Sequence, residues 1–150
     1  MEELFRDVLD KDERIIAVIK PNKRRYWKTL AMPFGIPLFW PHLIIMLVLT
    51  LFTLPFFFAN GYKNLYYAYT NKRLITRSGW IGVKYESLEY KDITSTSIEV
   101  GFLDKGCKTG SLSFSSPSVH AGEPMKFAYI NNPFDCMKAI KEEMSKHSTT

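Results

Sequence analysis

Residues 29–62 contain no Lys, Arg, Asp or Glu, and an apolar stretch of this length restricts what the chain can fold into. As one helix, these 34 residues would be about 51 Å long, whereas the hydrocarbon core of a bilayer is about 30 Å thick. Two full crossings would instead need about 40 residues and a turn. A soluble protein of 150 residues has little room for a helix that is apolar on every face. The stretch therefore predicts a hydrophobic membrane segment, either a transmembrane helix or a helical hairpin.

Prolines divide this segment into two halves. Pro33, Pro37 and Pro41 recur every four residues, and a continuous helix through them would lose hydrogen bonds and clash repeatedly. Residues 42–58 are better suited to a helix, since only Pro55 interrupts them. Amphipathic aromatic rings suit the membrane–water interface. The predicted interface anchors are Trp27, Trp40 and Tyr62.

Basic residues are concentrated beside the apolar segment, in a chain whose net charge is +5. Each Lys or Arg close to an anionic leaflet contributes about 1 kcal/mol of attraction. A second basic group follows at the first predicted hairpin of the C-terminal region. The candidate ligands for lipid headgroups are Lys20, Lys23, Arg24, Arg25, Lys28, Lys72, Arg73 and Arg77.

The basic flanks also predict an orientation, because positively charged loops remain in the cytoplasm. The flank at residues 20–28 is therefore expected inside. One crossing would place the C-terminal region outside, whereas a hairpin or re-entrant loop would keep both ends inside. The basic second flank and two cysteines without a C-x-x-C spacing, Cys107 and Cys136, favour the hairpin. We expect a protein of the cell membrane whose C-terminal domain is cytoplasmic.

The N-terminal region, residues 1–28, reads as an amphipathic and basic segment. Residues 1–14 have the periodicity of a short helix, and residues 15–19 favour a strand. The apolar face of the predicted helix consists of Leu4, Phe5, Val8 and Leu9.

The C-terminal region, residues 63–150, predicts a mainly β domain. Aromatic and β-branched runs recur about every ten residues, as in an antiparallel meander that closes as a barrel or sandwich. Two of the predicted strands cover residues 80–88 and 93–102. A final helix is predicted over residues 133–146, because Asn132 suits the N-cap and Pro133 the first helical position. Its apolar stripe consists of Phe134, Met137, Ile140 and Met144.

Short runs in this region resemble the bacterial, membrane-associated family of pleckstrin-homology-like (PH-like) domains. They are Tyr-Thr-Asn-Lys-Arg-Leu-Ile at 69–75, Glu-Ser-Leu at 86–88, Asp-Ile at 92–93, Gly-Ser-Leu at 110–112 and Ile-Asn-Asn-Pro at 130–133. The resemblance implies a PH-like antiparallel barrel or sandwich that is capped by a C-terminal helix and preceded by a hydrophobic segment. In eukaryotic PH domains the first hairpin region can bind phosphoinositide headgroups, which is the role that the resemblance implies for Lys72, Arg73 and Arg77.

The sequence contains no motif of catalysis or metal binding. A G-x-S-x-G elbow, an H-E-x-x-H pair and a Gly-rich phosphate loop are all missing, so no enzyme activity, metal or cofactor is expected. A nucleic-acid partner is not expected either, since there is no recognition helix or RNP-like run. The leading hypothesis is a membrane-anchored, non-enzymatic PH-like module that binds anionic lipid, a membrane-protein partner or a second copy of itself. The alternative is a small subunit of a larger membrane transport or secretion complex.

Overall fold

The computed structural model describes residues 2–31, 55–117 and 124–147. Within these ranges, the strands form two antiparallel sheets. The first sheet has the order β1-β2-β3-β4, with β1 (Ile15–Ile19), β2 (Tyr66–Thr70), β3 (Arg73–Ser78) and β4 (Lys84–Glu89). The second has the order β5-β6-β7, with β5 (Ser95–Glu99), β6 (Thr109–Ser115) and β7 (Met125–Asn131).

In the same described ranges, four α-helical segments accompany the sheets. They are α1 (Lys23–Ala31), α2 (residues 55–64), α3 (Phe102–Lys105) and α4 (Pro133–His147). Short 3-10 helices cover Glu2–Phe5 and Tyr90–Asp92. The mainly β fold with a C-terminal helix is as predicted. Because β1 pairs with β2, the N-terminal region contributes a strand to the sheet of the C-terminal domain.

The core lies between the two sheets and under α4. Tyr67 of β2 stacks on Phe127 of β7, with ring centroids 4.6 Å apart, and its hydroxyl accepts a hydrogen bond from the backbone N–H of Ala128. Leu112 and Phe114 alternate along β6 as predicted, and both are fully buried. Among the described residues, no strand of one sheet pairs with a strand of the other. The fold is therefore an open sandwich of two sheets, and the predicted alternative of a closed barrel is wrong.

The buried face of α4 differs from the predicted stripe by one residue. Pro133, Met137 and Ile140 are buried and follow the i, i+4, i+7 spacing, whereas Phe134 is 60% exposed. Consecutive helical residues point about 100° apart, so once Pro133 rests against Gly110 of β6, Phe134 is turned away from the core. The prediction for Phe134 is therefore wrong, and the exposed ring adds nothing to the core.

The predicted helix over residues 1–14 is also wrong, because only Glu2–Phe5 is helical and turns follow it. In a continuous helix the Val8 carbonyl would accept the N–H of residue 12. Here that carbonyl accepts Nη2 of Arg73 at 2.8 Å. The apolar face nevertheless packs as expected, since Phe5 is fully buried against Ala68 and Ile75. The N-terminal segment thus covers the first sheet without being an α-helix.

Two predicted strands are shorter than expected. Residues 80–83 precede β4 as a loop, because Gly79 and Gly82 adopt φ values of 145° and 94° that break the extended chain. The strand predicted over 93–102 ends at Glu99, and Phe102 begins α3. The Asp104 carboxylate there accepts the backbone N–H of Gly101, which favours a helical turn over a continued strand.

Among the described residues, no helix combines the length and the apolar character needed to span a bilayer. The predicted membrane segment falls mainly on residues 32–54, which lie outside the described residues, as does the predicted anchor Trp40.

Candidate functional site

The two flanks of the charge-free segment pack against each other. The ring of Tyr26 in α1 lies 5.9 Å from that of Phe58 and 5.2 Å from that of Tyr62 in α2. The Tyr62 hydroxyl donates a hydrogen bond to the Pro21 carbonyl at 2.9 Å. Gly61 permits this approach, because a Cβ there would lie 2.8 Å from the Tyr26 hydroxyl oxygen. Helices α1 and α2, which lie on either side of residues 32–54, are therefore close together.

Lys20 ties β1 to the end of α2. Its Nζ donates to the carbonyls of Tyr62 and Lys63, at 3.1 and 3.3 Å, and lies 3.5 Å from the centroid of the Tyr66 ring. A cation favours the unpaired carbonyls at a helix C-terminus and the face of an aromatic ring. Lys20 therefore fixes the position of α2 relative to β1.

The loop between β3 and β4, residues 79–83, lies against the same flank. Trp80 packs on Phe58 with ring centroids 5.2 Å apart, and the Asn64 side-chain amide donates to the carbonyl of Gly79 at 3.1 Å. The loop is apolar at its tip, where Ile81 is 86% exposed. We call the group of α1, α2 and loop 79–83 the insertion end, because a long stretch of sequence is inserted here between the paired strands β1 and β2.

Arg77 extends the basic character of the insertion end onto β3. Its Nε donates to the Tyr85 hydroxyl at 3.2 Å, and its guanidinium lies 5.8 Å from the centroid of the Tyr66 ring. The ring of Tyr66 is thus close to both cations, Lys20 and Arg77. The structure brings these two predicted residues together although 57 positions separate them in the chain.

Arg25 is held inside the fold. Its Nε lies 2.7 Å from Oδ1 of Asp104, and the two side chains are only 11% and 8% exposed. Burial alone would raise the pKa of the Asp104 carboxyl, but hydrogen bonds from Arg25, Thr109 and the Gly101 N–H outweigh it and hold that pKa below its usual value. The pair joins α1 to α3, and the charge of Arg25 is compensated by that of Asp104.

Lys72 and Arg73 lie at the far end of the first sheet. Register pairs Tyr66 with Arg77 at the insertion end, and four residues along β3 place Arg73 roughly 13 Å away. Because β1 precedes β2, the turn at residues 71–72 belongs to the second hairpin of the sheet, and the charge-free segment lies within the first. The sequence analysis predicted the strand at residues 15–19 but not its pairing with β2, so it counted the hairpins from β2.

The remaining predicted residues belong to α1 and α2. Lys23 and Arg24 are exposed, whereas Trp27, Lys28 and Tyr62 are half-buried. Within the described ranges, none of Lys20, Lys23, Arg24, Lys28, Lys63 and Arg77 forms an ion pair.

The charge of the chain is divided sharply along the sequence. Residues 14–85 carry 11 Lys or Arg and no Asp or Glu, whereas the other 78 residues carry a net charge of −6. The first group forms α1, α2, loop 79–83 and most of the first sheet. The sequence analysis did not identify Lys63, Lys84, Trp80 and Ile81 as members of this site. The absence of Asp and Glu from residues 14–85 was the signal that could have identified the two lysines.

The described part of the chain offers no group of three or more His, Cys, Asp or Glu side chains that could hold a metal ion. Its cysteines are unpaired with each other, and burial raises the pKa of the Cys136 thiol to about 11. The chemistry available at the insertion end is therefore that of cations and exposed apolar groups.

One solved structure and a family model agree with this fold. A DUF1696 family protein with a pleckstrin-homology domain from Shewanella loihica superimposes with a TM-score of 0.52, at 14% identity over 95% of each chain. The pleckstrin homology domain from Shewanella amazonensis gives a TM-score of 0.49 at 17% identity, over 91% of this chain and 78% of that one. No curated protein matches the chain. The family model described as "Bacterial PH domain" matches residues 28–143, so the chain belongs to the bacterial PH domain family.

Proposed function

We propose that the chain is a non-enzymatic PH-like module that attaches to an anionic membrane surface through its insertion end. The packing of α1 against α2 carries this proposal, because it gathers both flanks of a charge-free segment on one side of the fold. Attachment there would leave α4 and the far end of the first sheet available to a protein partner.

The packed flanks favour a segment that enters and leaves the membrane on the same side. A single crossing would separate α1 from α2 by the bilayer thickness of about 30 Å, whereas their rings are in contact, which supports entry and exit on the same side. Between α1 and α2 lie 23 residues of the charge-free segment, fewer than the roughly 40 that two crossings need. A shallow re-entrant hairpin fits this length. By the positive-inside rule, it would hold the domain on the cytoplasmic side of the cell membrane.

Exposed cations provide the attraction to anionic headgroups. Lys23, Arg24 and Lys63 are exposed and without ion pairs in the described ranges, so each can contribute about 1 kcal/mol near an anionic leaflet. Lys28 and Arg77 lie beside them. Arg25 and Arg73 are excluded from this set, because their guanidinium groups are committed to Asp104 and Glu13.

Vesicle flotation of the full chain tests the proposal. The chain should float with phosphatidylcholine vesicles that contain phosphatidylglycerol, and a double variant, K23E/R24E, should float several-fold less at low salt. The matched control is K138E/K141E, which reverses two exposed lysines on α4. Equal loss in both variants, or equal binding to purely neutral vesicles, would contradict attachment through the insertion end. It would favour a role as a subunit of a larger membrane complex instead.

A further inference from the structure

Loop 79–83 exposes apolar side chains in a conformation that the fold imposes. Gly79 has φ of 145°, and a Cβ there would lie 2.4 Å from the carbonyl oxygen of Gly82, which itself has φ of 94°. The Asn64 amide holds both ends of the loop by donating to the carbonyls of Gly79 and Gly82, at 3.1 and 3.4 Å. The exposure of Ile81 is therefore a defined feature of the structure.

The loop is continuous with the flank of the charge-free segment. Trp80 is 53% exposed and rests on Phe58 of α2. Together with the exposed side chains of Ile81 and Val83, it forms an apolar strip that runs from α2 to the tip of the loop. An exposed apolar strip on a protein surface indicates an interaction site.

Cations border this apolar strip. Lys63, Arg77 and Lys84 lie on the elements that support the loop, and the nearest acidic residue along the chain, Glu86, pairs with Lys84 at 2.6 Å. An apolar tip surrounded by basic residues matches an anionic bilayer, whose headgroups are charged and whose interior is hydrocarbon. Tryptophan suits the boundary between the two regions.

We propose that loop 79–83 inserts into the lipid surface beside the charge-free segment, as a second and separate membrane contact of the domain. The inference rests on the membrane attachment proposed above. Ile81 would enter the acyl region and Trp80 would remain at the headgroup level. Two contacts on one end of the fold would fix the orientation of the domain relative to the bilayer, where one hairpin alone would act as a hinge.

An environment-sensitive fluorophore on residue 81 tests the insertion. In a C107S/C136A background, the full chain carries the fluorophore nitrobenzoxadiazole on a cysteine introduced by I81C. The control is K72C, which places the same label on an exposed turn at the other end of the first sheet. On binding to vesicles with phosphatidylglycerol, the label at 81 should shift to shorter wavelength and lose quenching by aqueous iodide, and the label at 72 should do neither.

The outcomes separate this inference from the proposed function. A chain that floats with vesicles while both labels remain equally open to iodide overturns loop insertion and leaves the attachment intact. A chain that does not float overturns both. As a second variant, I81D should bind vesicles several-fold more weakly while I81L binds as well as the natural chain. Unchanged binding of I81D would also overturn the insertion.

Discussion

Arg73 holds the carboxylate of Glu13 with two nitrogens. Nε lies 2.9 Å from Oε1 and Nη2 lies 2.8 Å from Oε2. The Glu13 side chain is fully buried and that of Arg73 is 18% exposed, so neither charge is well solvated. Thr70 donates a further hydrogen bond to Glu13. The pair fastens the N-terminal segment to the turn between β2 and β3.

Replacing Glu13 with alanine should destabilise the domain by about 3 kcal/mol, because the largely buried guanidinium of Arg73 keeps only the exposed carboxylate of Asp10, at 3.8 Å, as an ionic partner. The free energy of unfolding in urea measures this loss. Glu86→Ala is the matched control, since its pair with Lys84 is exposed on both sides and should contribute nothing measurable. Equal effects of the two substitutions would show that the Arg73–Glu13 pair does not fasten the segment.

Stability should fall in acid through the same carboxylate. Burial would raise the pKa of Glu13, but the hydrogen bonds from Arg73, Thr70 and the Asp10 N–H hold it below its ordinary value of 4.5. A carboxyl whose pKa is lower in the folded state stabilises the fold above the unfolded value and loses this contribution as pH falls through the folded one. The loss should therefore begin near pH 4.5 and continue below it. Thermal unfolding of Glu13→Gln should show a shallower acid limb, and an identical limb would contradict this assignment.

Arg24 and Arg25 are neighbours with different expected roles. Arg25→Ala leaves the buried carboxylate of Asp104 without its partner and should cost about 3 kcal/mol of stability. Arg24→Ala removes an exposed charge, so it should leave the urea midpoint unchanged and weaken binding to anionic vesicles. Paired measurements of unfolding and flotation on both variants check this division. An Arg25→Ala variant that keeps its stability but loses vesicle binding would contradict this division, because it would make Arg25 a membrane contact.

Gly79 and Gly82 should differ in how well they tolerate alanine. At Gly79 the added Cβ meets a backbone carbonyl oxygen at 2.4 Å as well as a strained φ, so Gly79→Ala should cost roughly 2 kcal/mol or more. At Gly82 the space is open and only the φ of 94° is unfavourable, so Gly82→Ala should cost about 1 kcal/mol. Urea unfolding ranks the two. The reverse order would show that the loop adopts another shape.

The sequence predicted those elements whose signal is local. Alternation identified Leu112 and Phe114 as core residues, and Pro133 marked the start of α4. The sequence alone could not predict that Arg25 is buried and Arg24 exposed, because Arg25 is buried by its contact with Asp104, which lies 79 positions away in the chain. Nor could it join Lys20 to Arg77, which meet at Tyr66 only after β1, β2 and β3 have paired. Long-range pairing, and not residue type, decides which cations remain available.

The side of the membrane on which the domain lies can be read with a thiol reagent that does not cross membranes. Burial raises the pKa of the Cys136 thiol to about 11, which slows its reaction, so an exposed reporter is preferable. K72C, in a C107S/C136A background, places one on the turn between β2 and β3. Under the proposed attachment, the contacts of Tyr26 with Phe58 and Tyr62 keep α1 and α2 on one side of the membrane, and the positive-inside rule predicts that this side is the cytoplasm. In intact cells the reporter should remain unlabelled, and it should react quickly once the membrane is permeabilised.

A second reporter on the N-terminal segment, K11C, should behave identically. Rapid labelling of K72C alone in intact cells would mean that the segment crosses the membrane once and that α1 and α2 do not pack together there.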